Sequence, residues 1–240
     1  MDQLPIRQLK RKVQDLLRGA DFDEALAKIH TFPPRRAVNP LFSFLYDKDS
    51  RVRWRAVTAL GAVTAALADS DTESARVVFR RLMWNLNDES GGIGWGSPEV
   101  MGEIVARHPR MRSEYLSILL SYLRPDGNFL EHEGLQQGVL WAVGRVAQAD
   151  PEAVHSVTGL VEAHLSSKNP GLRGTAAWAC GCMADRHAAG RLEAITDDPA
   201  GVELWIDQQL CTLTVGEAAT QALAKLSGTR LAGSVKSRAD

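Results

Sequence analysis

Six side chains stand out for the chemistry they could do together: Trp95, Glu99, Glu103, Trp141, Arg145 and Trp178. Glu99 and Glu103 are four residues apart, as are Trp141 and Arg145, so each pair shares one face of a helix. Trp and Arg dominate the energetics of binding surfaces. A Trp on the polar side of a helix calls for a reason beyond ordinary surface composition. The set reads as a groove that grips a partner, acidic and aromatic, suited to a segment with basic and apolar residues. The other reading is that the rings simply pack between helices. No nucleophile–base pair, nucleotide loop or metal-ligand spacing is present, so no catalytic residue, metal or cofactor is expected.

The remaining reactive residues point the same way. Glu131-His132-Glu133 could join Glu99 and Glu103 in a carboxylate–imidazole site. The other histidines do not recur at a fixed place, and solvated loop charge is the expected role. Cys180 and Cys182 are two apart, about 200° around a helix. They cannot pair, so Cys180 is expected in the core and Cys182 beside the groove. Arg51, Arg53, Arg55, Arg80 and Arg81 form the densest basic segment. Such a run could touch phosphate, but a solvated face with Arg stems laid over apolar residues is expected. In Gly91-Gly92-Ile93-Gly94-Trp95-Gly96 a Trp sits among four glycines. Ser97 is the expected N-cap and Pro98 the first helical residue, placing Trp95 at the groove mouth beside free amides. Asp88, Glu89 and Glu99 argue against an anion there. The alternative for this segment is a structural loop that plugs the groove.

The elements that position these residues follow from a repeat. Helices ending in a small residue between apolar ones recur at Gly61, Gly102, Gly144, Gly181 and Ala224, with spacings of 41, 42, 37 and 43 residues. A period of roughly 40 is that of a two-helix solenoid unit. In the first copy Val52, Ala56, Leu60 and Val63 form the apolar stripe. The matching first helices are expected over 38–47, 74–86, 112–123 and 153–167. Residues 1–35 read as a helical cap, 36–227 as about five repeats and 228–240 as a flexible tail. Within the last repeat, residues 202–214 alternate without helical period and predict a β-hairpin. Thr214-Val215-Gly216-Glu217 then fits a capping box. The 240 residues carry 28 Lys and Arg against 29 Asp and Glu, a balance that opposes a nucleic-acid coat. Three cysteines are no disulfide framework, and no stretch approaches 18 apolar residues. A cytoplasmic, monomeric protein off the membrane is expected.

The stretch Asp47-Lys48-Asp49-Ser50-Arg51-Val52-Arg53-Trp54-Arg55-Ala56-Val57-Thr58-Ala59-Leu60-Gly61 resembles the loop and second helix of a HEAT repeat, in particular the phycobilisome-lyase type. Asn169-Pro170-Gly171-Leu172-Arg173 through Gly181 is a second good match, and the resemblance spans residues 36 to 226. It implies an all-α, right-handed α–α superhelix, here with the small hairpin near its C-terminus. Family members mostly bind proteins, and some are enzymes. The resemblance therefore implies a non-catalytic bacterial adaptor that holds a protein or peptide in its concave groove. Two enzymatic alternatives come with it. HEAT-like DNA glycosylases use groove Trp, acid and Arg but need a basic groove; chromophore lyases or chaperones share the repeat type. HEAT-repeat deoxyhypusine hydroxylase holds di-iron through repeated His-Glu pairs; a single such pair here does not supply that site.

Overall fold

The computed structural model describes residues 4–87 and 94–228. Part of the glycine-rich loop, residues 88–93, and the tail beyond Gly228 lie outside the described residues. Two compact units divide the chain, Met1–Glu114 and Tyr115–Asp240. Among the described residues there are twelve α-helices and a two-stranded antiparallel hairpin, an α solenoid built of stacked helix pairs.

In the first unit α1 (Ile6–Arg18) and α2 (Phe22–His30) precede two helix pairs. These are α3 (Pro34–Phe44) with α4 (Ser50–Ser70), and α5 (Thr72–Leu86) with α6 (Ser97–Arg107). Pro33 and Pro34 sit at the N-cap and first position of α3, where a missing N–H loses no helix bond. Asp49 caps α4 by accepting from the Arg51 and Val52 amides at 2.8 and 3.4 Å. The expected stripe of Val52, Ala56, Leu60 and Val63 is at most 1% exposed. The basic run has a structural use. Arg55 is buried and donates to the carbonyls of Leu17, Gly19 and Ala20, its guanidinium over the Phe22 ring. It thereby holds the α1–α2 connection on α4. Arg53 donates to the Asp47 carbonyl and to Ser50 Oγ, tying the loop to its helix.

α7 (Pro109–Ser121) runs across the division into the second unit. There α8 (Glu133–Ala149) and α10 (Pro170–Cys182) pack side by side, and α12 (Val215–Leu226) packs on α10. The single helix expected over 153–167 is instead a 3-10 turn at Glu152–Val157, the short α9 (Thr158–Ala163) and a second 3-10 turn at His164–Ser166. β-Branched residues and Gly159 in Val154–Gly159 explain the break, since neither favours α-helix. A 3-10 turn at Arg186–Ala188 and α11 (Ala189–Glu193) lead to β1 (Gly201–Ile206) and β2 (Gln209–Thr214). The hairpin was expected one residue shorter at its start. Thr214 and Glu217 make the capping box, with the Glu217 amide 3.0 Å from Thr214 Oγ1 and the Thr214 amide 2.7 Å from Glu217 Oε2. β1 lies along α10, where a Cβ on Gly174 would stand 2.6 Å from Val202 Cγ1. Arg173 holds the approach to the hairpin through two bonds to Asp198 Oδ2, at 2.8 and 2.6 Å.

The glycines of the repeat leave room for side chains of the next second helix to press against the backbone. A Cβ on Gly61 would stand 2.3 Å from Glu103 Cβ, and one on Gly144 2.3 Å from Trp178 Cζ3. In the hairpin turn, Asp207 and Gln208 take φ of +49° and +62°, the left-handed pair that a two-residue turn demands and glycine adopts more easily. Two stability changes are expected in urea denaturation. Gln208→Gly raises stability by about 0.5–1 kcal/mol. Gly144→Ala lowers it by roughly 1–3 kcal/mol, because the indole must move from its rotamer; an unchanged midpoint would contradict this packing.

Candidate functional site

The expected site residues fall in both units, and each set stands on its own geometry. In the first unit they belong to α6 and the turn before it. Gly96, not Ser97, is the N-cap: its φ of +76° turns the chain, and Leu45 and Val57 pack against it. Ser97 becomes the first helical residue and Pro98 the second. Ser97 Oγ is consequently buried without a hydrogen-bond partner rather than capping the amides. Trp95 precedes this turn and is 38% exposed, about half as much as Trp84. Glu103 is buried against Gly61 and paired with Arg107 one turn on, at 2.7 Å.

Glu99 differs from Glu103. Its residue is partly exposed, yet Oε2 is buried and accepts no hydrogen bond. Burial pushes its carboxyl up to about 7, with its own backbone amide and the Arg53 charge pulling weakly the other way. An acid that titrates near neutrality is thus held in the first turn of α6. A charged donor reaching Oε2 would satisfy it and drive off its proton.

The second-unit residues are arranged differently from the sequence expectation. Trp141 and Trp178 are not exposed: they are 2% and 5% accessible and stacked, with centroids 6.1 Å apart and planes 9° from parallel. Trp141 Nε1 donates to the Trp205 carbonyl of β1 at 2.8 Å. The hairpin backbone therefore takes up the polar edge of this ring. Trp178 Nε1 is equally buried and has no acceptor. Arg145, one turn beyond Trp141, is partly exposed. Cys180 is in the core as expected; Cys182 is half-buried, with Lys225 Nζ 3.8 Å from its sulfur. Sequence reasoning missed Trp205, since pairing across 64 residues leaves no local signal. It also passed over Trp84 on α5, which is 74% exposed.

Glu131-His132-Glu133 serves the backbone. His132 caps α8, with Nδ1 accepting from the Gly134 amide at 3.1 Å, and Glu133 accepts from Asn169 Nδ2 at 2.8 Å. Among the described residues, no three His, Cys, Asp or Glu side chains are grouped to hold a metal ion, and no helix is long and apolar enough to cross a membrane.

No family model matches the chain. An uncharacterized protein of Archaeoglobus fulgidus is 30% identical over 126 residues, 51% of this chain. The match spans 62% of that relative's length, less than two thirds. Among solved structures, the crystal structure of an engineered protein superposes with a TM-score of 0.51 at 16% identity, covering 92% of this chain and 97% of its own. A designed armadillo repeat protein reaches 0.48 at 18% identity, over 91% and 99% of the two chains. An archaeal HEAT-like repeats protein from Thermococcus onnurineus reaches 0.37 at 15% identity, over 98% and 85%. At these identities the likeness is one of fold.

The buried acid gives a pH signature. The Glu99 carboxyl is raised in the folded state, so its stabilising contribution is complete below the unfolded value near 4.5 and is lost as pH rises through about 7. Glu99→Gln removes that titration. The loss of unfolding free energy between pH 5 and pH 8 is expected to shrink by roughly 2–3 kcal/mol relative to wild type, measured by denaturant titration at both pH values. Parallel profiles would remove the buried-acid assignment.

Proposed function

We propose that this HEAT/armadillo-like repeat protein is a non-catalytic adaptor, and that a protein or peptide segment binds along its second helices. Trp95 and Glu99 form the reading surface in the first unit and Arg145 belongs to that of the second; Glu103, Trp141 and Trp178 are buried and shape these surfaces from beneath. The division into cap, repeats and tail is that of the sequence, and the chain acts as a cytoplasmic monomer. One observation carries the reading: the buried, unpartnered Glu99 Oε2 in the first turn of the helix that follows the exposed Trp95. An acceptor left without a donor costs about 1–3 kcal/mol. A lysine or arginine side chain supplies that donor, and its apolar stem or neighbour packs on the indole. Glu103 is already matched by Arg107 and shapes the helix contact rather than the ligand.

The test uses immobilised octapeptides of mixed Lys and apolar residues, each paired with its Lys→Gln counterpart. Wild type is expected to retain the Lys series over the Gln series, more strongly at pH 8 than at pH 6, because Glu99 ionises across that window. Glu99→Gln and Trp95→Ala each weaken retention by roughly tenfold, the size of one charge-assisted contact. Equal retention of both series, or variants that bind as wild type does, would overturn the reading.

A further inference from the structure

α5 shows one face to solvent. Glu73, Val77, Arg80, Arg81 and Trp84 are all exposed, at positions that share one side of a helix. Trp84 is 74% exposed and Val77 53%. A lone exposed apolar residue is ordinary, but a large indole and a valine two turns apart on one face are not scattered singly. Their positions are about 10 Å apart along the helix axis, with Arg81 between them.

Arg81 differs from the arginines around it. Arg35 of α3 pairs with Asp71, the N-cap of α5. Arg76 pairs with Glu114 at 2.6 Å and with Glu73 at 3.4 Å, and Arg80 pairs with Glu73 at 2.7 Å. Arg81 instead donates from Nη1 to Asn39 Oδ1 at 2.7 Å and lies over the Phe42 ring, 3.9 Å from its centroid. Among the described residues no carboxylate pairs with it. An amide oxygen and an aromatic face hold the guanidinium in place without neutralising it. Nη1 is spent on Asn39, so the Nε–Nη2 edge remains to donate.

We propose that Val77, Arg81 and Trp84 form a docking surface on α5 for a polypeptide segment that carries one carboxylate between two apolar side chains. Charge complementarity selects the occupant. The face holds one unmatched cation between two apolar side chains, and a carboxylate accepts two parallel bonds from one guanidinium edge. Trp and Arg are the types that dominate such contacts. An arginine already held by Phe42 and Asn39 loses little freedom on binding. A nucleic acid needs several unmatched cations in line, and here Asp71 and Glu73 take up the neighbouring ones. This surface lies on the first helix of its pair and uses none of the residues assigned to the basic segment.

The test follows the Trp84 indole N–H resonance in 15N-labelled full-length protein, identified by its absence from Trp84→Phe. The probe is a helical peptide of alanine and glutamine with Leu, Glu and Leu at i, i+4 and i+7, the spacing of Val77, Arg81 and Trp84. It is expected to shift the resonance in a saturable way. Its Glu→Gln counterpart is expected to bind roughly tenfold more weakly, the size of one charge-assisted contact. Arg81→Met keeps an apolar stem over Phe42. It is expected to bind the Glu peptide roughly tenfold more weakly and the Gln peptide as wild type does, a split that a merely structural arginine would not produce. A resonance unmoved by the Glu peptide, equal affinity for the two peptides, or wild-type affinity in Arg81→Met would overturn the site. Oligothymidylate binding there more tightly than the peptide would overturn the occupant in favour of nucleic acid. A dimer in sedimentation that becomes a monomer in Trp84→Ala would overturn it in favour of a second copy of the chain. Retention of basic peptides at Trp95 and Glu99 has no bearing on these outcomes.

Discussion

Close approach between successive second helices is the constraint on which the remaining features depend. At Gly61, Gly144 and Gly181 the neighbouring element comes so near that a Cβ would stand within 2.8 Å of its atoms. Dispersion contacts of this density hold helices at a set distance. What occupies the slot then decides the local chemistry. Against Gly61 it is Glu103, which is buried by the contact and needs Arg107 to satisfy it. Against Gly144 it is Trp178, whose flattened position lets Trp141 stack on it. Against Gly181 it is Ala222, and the room left over is taken by the stem of Lys225.

A second pattern appears in how buried polar groups are met. Arg55 finds three carbonyls and Gln136 finds the carbonyls of Tyr122 and Leu130. Those groups fasten loops onto helices. Glu99 Oε2 and Trp178 Nε1 find nothing, and they lie on α6 and α10. Even Arg55 and Gln136 keep one buried atom unmet, Nε and Oε1, as do Ser97, Thr64, Thr175 and Asp185. Glu99 Oε2 lacks a donor and Trp178 Nε1 lacks an acceptor.

The helix pairs were legible because their signals are local. Asp49, Asn169 and Thr214 each stand where a side-chain oxygen can reach the first-turn amides, and each does so. The apolar stripe of α4 and the period of roughly 40 residues also survive as written. The failures have physical causes. Gly96 displaced Ser97 as N-cap because a left-handed residue was needed to turn the chain against Leu45 and Val57. The helix expected over 153–167 broke where β-branched residues and Gly159 weaken propensity over a short span. Of the site, the sequence misjudged the exposure of Glu103, Trp141 and Trp178. An indole at a polar helical position reads as exposed until something covers it, and the cover here is a strand far along the chain.

By itself, then, the chain determined the helices, their caps, the hairpin and the small residues that let helices meet, because each depends on neighbours within a few positions. Only the tertiary structure decided which polar groups would be left unmet. Glu103 and Glu99 are one turn apart on the same helix, yet one is paired with Arg107 and the other has its carboxyl pushed up by burial. Trp141 and Trp178 occupy equivalent positions, yet one indole bonds a strand carbonyl and the other bonds nothing. Solvent exclusion and partner geometry are properties of the packed whole, and no spacing of residue types encodes them.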